Sequence, residues 1–506
     1  MTTPPSVLRP TARSGTSLSA LVPGAPDVAV TGVSLDSRGV RPGDLYVALP
    51  GRATHGARFA AQAVAGGAAA VLTDPAGLEE LAGIGVAVAV VDDPRTAMAG
   101  IAADVYGRPG ERLALYGVTG TAGKTSTTFL LAAALAAAGQ SVGTIGTIGF
   151  TLDGRRLPSP RTTVTTPESP DLQALLAYFA EHGADAVAME VSSHALALHR
   201  VDGLAFDVAA FTNLGRDHLD FHDTQEDYFQ AKASLFRDGR CRAAVVNIDD
   251  EYGRRLAAEL RSAGAVRLVT TGAAGDYRPT AADLLADGTT RVRLATPSGE
   301  REFALGLLGA FNVRNATTAT AVLDLAGIDL DLALPGFAAA FVPGRMQRVD
   351  LGEGAPGVVV DFAHTPEAVT AALDALPEGR RVAVLGCGGD RDQAKRGPMG
   401  EAAARGASVV VVTDDNPRSE PPEAIRAAVL AGARQAAADT GAEVHDGGGR
   451  ADAIRLALRL AAPGDWVAVL GKGHETGQQL ADRTVPFDDV DAVARIWAEQ
   501  GENSHA

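Results

Sequence analysis

The chain has 506 residues, 46% of them hydrophobic and 21% charged, and a formal net charge of −16. That length holds two to four domains and that apolar fraction can bury a core in each, so the chain need not be disordered. The acidic balance speaks against nucleic acid as a partner, and no run approaches the roughly 20 apolar residues of a membrane span.

The first twenty residues, "MTTPPSVLRPTARSGTSLSA", lack the continuous apolar core of a secretory leader, and the first dozen are expected to be loose. The two cysteines, Cys241 and Cys387, lie far apart with no metal-ligand spacing. They predict a reducing compartment without disulfides, hence a soluble cytoplasmic protein. An Ala-rich, helix-like stretch ends at "YGRPGER" (106–112), a polar Gly/Pro break before the strand-like "LALYGV" (113–118). A second break, "VPGRMQRV" (342–349), follows the helix-like "LPGFAAAF". Between the breaks, "ADAVAME" (184–190), "FDVAAFTNL" (206–214) and "RAAVVNID" (242–249) are short apolar runs separated by Ala/Leu-rich segments. Runs of this kind read as buried strands of a parallel α/β sheet. The last third repeats the pattern in "RRVAVLGCGG", "ASVVVVTDD" and "GDWVAVLGKG". Each of these strands ends in glycines or acids, and open α/β sheets bind ligands at such carboxyl ends. The expected fold is α/β in three domains, with boundaries at 1–111, 112–342 and 343–506.

"GVTGTAGKTSTT" (117–128) places a glycine-rich turn between a strand and an Ala/Leu-rich helix that stops at Gly139. Unpaired N–H groups at a helix N-terminus and the helix dipole favour an anion there, and glycine lets the backbone wrap closely round it. Lys124 would reach terminal phosphates and the Thr125 hydroxyl would hold Mg²⁺. The full eight-residue phosphate-loop pattern needs glycine at 118, where Val118 stands; what is present is the shorter form, Gly120 to Thr125.

That short form resembles the ATP loop of the Mur ligases and their folylpolyglutamate synthetase relatives. "MEVSSHALALHR" (189–200), "TNLGRDHLDFH" (212–222), "YFQAKASLF" (228–236), "GAFNVRNA" (309–316), "PGRMQ" (343–347) and "DFAHTP" (361–366) are similar to further motifs of that family, in the same order. "SLDSRGVRPGDLYVALPG" (34–51), "TTVTTPES" (162–169), "TDDNPRSE" (413–420) and "GKGHE" (471–475) resemble the branch that adds meso-diaminopimelate to UDP-N-acetylmuramoyl-L-alanyl-D-glutamate. The resemblance implies a UDP-substrate-binding first domain, a central P-loop-type ATPase domain and a Rossmann-like third domain that binds the amino acid. It also implies a cytoplasmic monomer serving peptidoglycan precursor synthesis.

The implied route is attack of the D-glutamyl side-chain carboxylate on the γ-phosphate of ATP, then attack of an amine on the resulting acyl phosphate. Two anions must meet, so cations must sit between them. The resemblance gives ATP contacts to Gly120, Thr121, Ala122, Gly123, Lys124, Thr125, Ser126, Asn312, Arg345 and Asp361, with Arg345 reaching ATP only on domain closure. Thr125, Glu190, His218 and a carbamylated Lys232 would hold Mg²⁺, and Lys124, Glu190, His218 and Lys232 carry the catalytic roles. A lysine ammonium has no lone pair for a metal, whereas its carbamate is a carboxylate-like anion. Read without the resemblance, Lys232 is a solvated helix lysine and "RDHLDFH" a polar loop, but Glu190 ends an apolar run where a carboxylate is costly unless paired or metal-bound. Ser37, Thr165, Thr166, Ser192 and Arg200 are the implied contacts of the nucleotide dipeptide. Leu198 stands where some relatives carry glutamine, and Ala122 where asparagine is common. Arg391, Asp415, Asn416, Pro417, Arg418, Gly471 and Glu475 would form the diaminopimelate pocket, an arginine gripping the distal carboxylate by two parallel bonds. Taken alone, "DNPR" is equally a loop after a strand. Alternatives are a lysine-adding homologue, a folylpolyglutamate-type ligase and a non-enzymatic protein on a degenerate ATPase fold.

Overall fold

The structure is a computed structural model and describes residues 8–11, 15–51, 53–158, 164–215, 217–218, 221–285 and 288–503. Arg216, Leu219 and Asp220 of the acidic segment, Thr162 and Thr163 of the substrate loop, and most of the first dozen residues lie outside the described residues. The chain divides into two units: 1–281 with 291–304 and 314–339, and 282–290 with 305–313 and 340–506.

The first unit begins with a four-stranded parallel sheet, Gly32–Ser34, Asp44–Val47, Ala70–Thr73 and Ala87–Val90. Leu45, Val47 and Leu72 pack against Met98 and Ile101 of the helix Pro94–Val105. Asp93 starts that helix by accepting from the N–H groups of Arg95 and Thr96, and Pro94 fills the first position, where no donor is needed. The expectation of a loose N-terminus fails at Leu8–Thr11. Arg9 is buried and donates to both oxygens of Asp44 at 2.6 and 2.7 Å, and the Thr11 N–H donates to Glu181 at 2.8 Å. A buried arginine must be paired, and that requirement pins the segment.

An eight-stranded sheet follows. Its order from one edge is Arg155–Leu157, Gly149–Leu152, Val142–Gly146, Ala186–Glu190, Ala114–Thr119, Phe206–Phe211, Cys241–Asn247 and Arg267–Thr271. The first two form an antiparallel hairpin against Val142–Gly146; the rest are parallel. Ala114–Thr119 is central, with later strands on both sides, so the crevice at its carboxyl end is a topological switch point. The chain there enters the helix Lys124–Ala137 through Gly120 (φ +146°) and Gly123 (φ +86°), conformations that only glycine adopts cheaply. Gly139 (φ +86°) lies just beyond its end, as the sequence indicates. "LPGFAAAF", expected as a helix, is only the short 3₁₀ turn Leu334–Phe337. Pro335 removes a donor, and Gly336 packs so closely on the Ala133 carbonyl that no side chain fits.

The second unit holds a six-stranded sheet in the order Gln347–Val349, Gly357–Asp361, Trp466–Leu470, Arg381–Leu385, Val409–Thr413 and Glu443–Gly448. Only the first strand is antiparallel. Val359, Val410, Val412 and Leu470 face one core cluster, and Val358, Val411 and Val467 face another, so the central strands are apolar on both faces.

Candidate active site

In the first unit the phosphate loop is held from beneath by Asn213 and Thr212, which follow the strand Phe206–Phe211. The Ala122 N–H donates to Asn213 Oδ1 at 2.9 Å and Asn213 Nδ2 returns a bond to the Ala122 carbonyl at 3.0 Å. Thr212 Oγ1 donates to the same carbonyl at 2.6 Å. Alanine at 122 therefore leaves the loop backbone fixed. Lys124 Nζ donates to the carbonyls of Gly120 (2.8 Å) and Thr121 (2.9 Å). Thr125 and Ser126 are buried in the first helical turn.

Glu190, 1% exposed, ends its strand beside Val118 of the central strand. Its Oε1 accepts from Thr125 Oγ1 (3.0 Å) and the Thr147 N–H (2.8 Å), and its Oε2 accepts from Thr147 Oγ1 (3.1 Å). Thr165 Oγ1 lies 3.2 Å from Thr147 Oγ1, and Thr166 Oγ1 donates to the Glu190 carbonyl at 2.9 Å and lies 3.3 Å from Ser192 Oγ. Ser192 also caps the helix Ser193–Ala197. Arg200 Nη1 donates to the Thr166 carbonyl at 3.1 Å, and Nε to Glu168 Oε1 at 2.9 Å. Thr125, Glu190, Thr165, Thr166, Ser192 and Arg200 are thus one connected hydroxyl-rich patch at the sheet's carboxyl end. The sequence reading missed three of its members. Thr147 bonds both oxygens of Glu190; Glu168 holds Arg200; Arg95 donates to Glu168 Oε2 at 3.0 Å and to the Leu198 carbonyl at 3.3 Å. Ser37 is not joined to this patch; it donates to Gln62 Oε1 at 2.8 Å, beside the first sheet.

Lys232 is no solvated lysine. It is 1% exposed on the helix Gln225–Ala233, its Nζ donates to the Gly120 carbonyl at 2.8 Å, and it lies 4.6 Å from the Tyr228 ring centre. Burial, reinforced by the nearby Lys124 charge and only partly opposed by Asp217, pushes its pKa well below the usual lysine value. His218 (φ +55°) sits among rings: His194 at 4.9 Å and Tyr228 at 6.0 Å, centre to centre. Glu190 is a deeply buried carboxylate with hydroxyl and amide donors and, among the described residues, no ion-paired Lys, Arg or His, an arrangement that suits a hard divalent cation. No three His, Cys, Asp or Glu residues converge among the described residues. Mg²⁺ fits such a sparse set, because it retains waters and takes phosphate oxygens.

The second unit brings the residues expected to bind the amino acid together at strand ends. Asp415–Arg418 follows Val409–Thr413, Gly471–Glu475 follows Trp466–Leu470, and Cys387–Arg391 follows Arg381–Leu385. Lys472, wholly buried, donates to Glu475 Oε2 (3.0 Å), Asn416 Oδ1 (3.3 Å) and the Gly477 carbonyl (2.6 Å), which satisfies its three protons. Asn416 Nδ2 donates to Glu475 Oε2 at 2.8 Å. Burial opposes ionisation of Glu475, but Lys472, Asn416 and His474 together hold its pKa below the usual value. Asp415 is pushed up by burial despite Arg450 and Lys472. Gly471 (φ +113°) passes so close to Asp415 that a β-carbon there would lie 2.6 Å from Oδ2. Pro417 is buried and Arg391 exposed. Arg345 stacks 4.5 Å from the Phe362 ring centre, Asp361 accepts from the N–H groups of Met346 (2.7 Å) and Ala363 (2.8 Å), and Asn312 donates to the Leu308 carbonyl at 2.8 Å. Lys472 was legible only as part of "GKGHE"; nothing in that string marks it as the buried hub.

Cys241 and Cys387 are both buried free thiols, and no helix among the described residues is long and apolar enough to cross a membrane. Comparison with known proteins matches three families in chain order: the Mur ligase family catalytic domain at 29–106, the Mur ligase middle domain at 118–323 and the Mur ligase glutamate ligase domain at 344–473. The chain is 50% identical over 501 residues to the UDP-N-acetylmuramoyl-L-alanyl-D-glutamate--2,6-diaminopimelate ligase of Streptomyces coelicolor, covering 96% of this chain and 97% of that one. It is 47% identical over 487 residues to the protein of the same name from Corynebacterium glutamicum, covering 94% and 93%. A solved structure of a ligase of that name aligns with a TM-score of 0.69 at 32% identity, over 96% of this chain and 100% of that chain. A folylpolyglutamate synthase of Mycobacterium tuberculosis shares the fold at a TM-score of 0.59 and 21% identity, over 73% of this chain and 91% of that chain. With three α/β domains in this order, the chain belongs to the Mur ligase family.

Proposed function

We propose that this chain is an ATP-dependent ligase that joins meso-diaminopimelate to the D-glutamyl side-chain carboxylate of UDP-N-acetylmuramoyl-L-alanyl-D-glutamate through an acyl phosphate, in the cytoplasm. The observation that carries the reading is the buried Thr125–Glu190 pair beside the phosphate loop. It supplies oxygen donors and negative charge where ATP would bring phosphates, so the pair suits a metal–nucleotide complex rather than a bare anion. Relatives of that activity at about half identity support the amino acid and the nucleotide dipeptide.

The loop N–H groups from Gly120 to Ser126 hold the phosphates at the helix N-terminus. Lys124 exchanges its two carbonyl acceptors for charged phosphate oxygens, which bind an ammonium more strongly. Thr125, Glu190, His218 and a modified Lys232 would hold Mg²⁺, which supplies positive charge between the carboxylate and the phosphate. The depressed pKa of Lys232 favours the neutral amine, whose nitrogen lone pair forms a bond to carbon dioxide while its proton leaves to solvent, giving the carbamate. Thr165, Thr166, Ser192 and Arg200 orient the peptide carboxylates. In the second unit, Arg418 takes the distal carboxylate of the amino acid and Glu475 its ammonium, with Arg391 adding charge at the rim.

Phosphate release from ATP, measured with the nucleotide dipeptide and diaminopimelate, lysine, or a folate with glutamate, tests this reading. Turnover with diaminopimelate is expected. Turnover only with lysine or only with folate would replace it by one of the alternatives, and no turnover with any acceptor would favour a non-enzymatic role.

A further inference from the structure

Arg418 is held in an unusual way. Its backbone is left-handed (φ +52°), which a long side chain rarely adopts unless its surroundings impose it. The Arg418 N–H donates to the Gln479 carbonyl at 3.1 Å, and its side-chain Nε donates to Gln479 Oε1 at 2.9 Å. Nη1 gives one bond, 2.7 Å, to the Gly389 carbonyl. A β-carbon at position 388 would stand 2.9 Å from Nη1, so the Gly388–Gly389 turn closes the other side of the guanidinium. Nε and one Nη1 proton are therefore occupied. Nη2 has no hydrogen bond among the described residues, and the end of the fork that pairs Nη1 with Nη2 is left to receive a carboxylate.

The strand Gly477–Gln479, which pairs with Thr484–Pro486, is tied at Gln478 and Gln479 to the loop that carries Arg418, and at Gly477 to Lys472. The Gly477 carbonyl accepts from Lys472, Gln478 Nε2 donates to the Asp415 carbonyl at 2.7 Å, and the Gln479 N–H donates to Asn416 Oδ1 at 2.9 Å. The Gln479 side chain is itself exposed, so its bond to Arg418 contributes little to the core. Its effect is to fix which edge of the guanidinium points outward.

We propose that Gln479 is a positioning residue that sets recognition of an amino-acid substrate's distal carboxylate by aiming Arg418. This rests on the reading of Arg418 as the carboxylate-binding arginine. Without the Gln479 acceptor the guanidinium turns and its end-on pair of donors is lost for part of the time. The substrate then pays in affinity, whereas the chemistry at the phosphate loop is untouched.

The test uses the full-length protein and four proteins in parallel: wild type, Arg418→Ala, Gln479→Met, which keeps the size and removes the acceptor, and Gln479→Glu, which keeps an acceptor. Steady-state KM for diaminopimelate, KM for ATP and kcat at saturation are read for each. Gln479→Met is expected to raise the diaminopimelate KM about 5- to 10-fold, the size of one lost charge-assisted bond, with ATP KM and kcat within about twofold. Gln479→Glu is expected to keep the diaminopimelate KM within about threefold of wild type. An unchanged diaminopimelate KM in Gln479→Met, or a parallel rise in ATP KM, would overturn the proposal while Arg418→Ala still showed its own large effect. If Arg418→Ala also left the diaminopimelate KM unchanged, the reading of Arg418 itself would fail. Circular dichroism of each variant confirms that it is folded.

Discussion

Lys232 and Glu190 are buried ionisable side chains that bond to the Gly120–Ser126 segment, one resting on a backbone carbonyl and the other held by hydroxyls. Burying either has a cost that no neighbouring counter-ion offsets in full, and such costs are retained where chemistry needs them. Lys232→Ala is expected to lower turnover about 10²- to 10³-fold, as loss of a group that stabilises developing charge does. A small carboxylate such as propionate should restore part of it. Near-normal turnover in the variant would remove Lys232 from the reaction. Glu475 gives a prediction with a sign. Its folded pKa lies below the unfolded value, so its ionised form stabilises the fold above about pH 4.5 and that contribution is lost as pH falls through the folded pKa. In urea denaturation, wild type should exceed Glu475→Gln in stability by a margin that is constant near neutrality and shrinks on acidification below pH 4.5. A margin that widens on acidification would reverse the assigned shift.

At the scale of elements, the helices Arg450–Leu460 and Asp489–Asn503 are joined at their first residues. Arg450 Nε and Nη2 donate to Asp489 at 2.7 and 2.6 Å, both side chains are fully buried, and Nη2 also reaches the Leu470 carbonyl at 3.0 Å. An acid suits a helix N-terminus and a cation does not, so the pair offsets Arg450's poor position. Arg450→Met alone is expected to cost about 3–5 kcal/mol because Asp489 is left buried and uncompensated, and Arg450→Met with Asp489→Leu should cost markedly less. Urea midpoints of the single and double variants check this; equal losses would mean the pair's charge is unimportant. The strands around these helices were readable in sequence because a strand apolar on both faces leaves a run such as Val409–Val412. The phosphate loop was readable because glycine and lysine must be local to it. Arg450–Asp489 and Gln479–Arg418 were not, since their partners are 39 and 61 residues apart and no local pattern encodes the pairing. "LPGFAAAF" misled for the opposite reason. Its Ala-rich composition favours a helix, but Pro335 and the tight approach of Gly336 to Ala133 limit it to one 3₁₀ turn.

At the scale of the whole chain, two tasks are divided. The first unit gathers the glycine-rich turn, the buried Glu190 and its hydroxyl partners at one sheet's carboxyl end, a set suited to phosphate and a divalent cation. The second gathers Arg418, Asn416, Lys472 and Glu475 at another's, a set suited to a zwitterionic amino acid. A net charge of −16 makes this local placement of cations decisive, because the overall field repels anionic substrates. The shared requirement is that a carboxylate be converted into a leaving group before an amine attacks it. The most direct measurement is the fate of ¹⁸O placed in both oxygens of the D-glutamyl side-chain carboxylate during turnover with ATP and diaminopimelate. Mass spectrometry of the released phosphate should show one ¹⁸O per molecule, with the other retained in the new amide. Unlabelled phosphate accompanying amide formation would contradict activation of that carboxylate as an acyl phosphate.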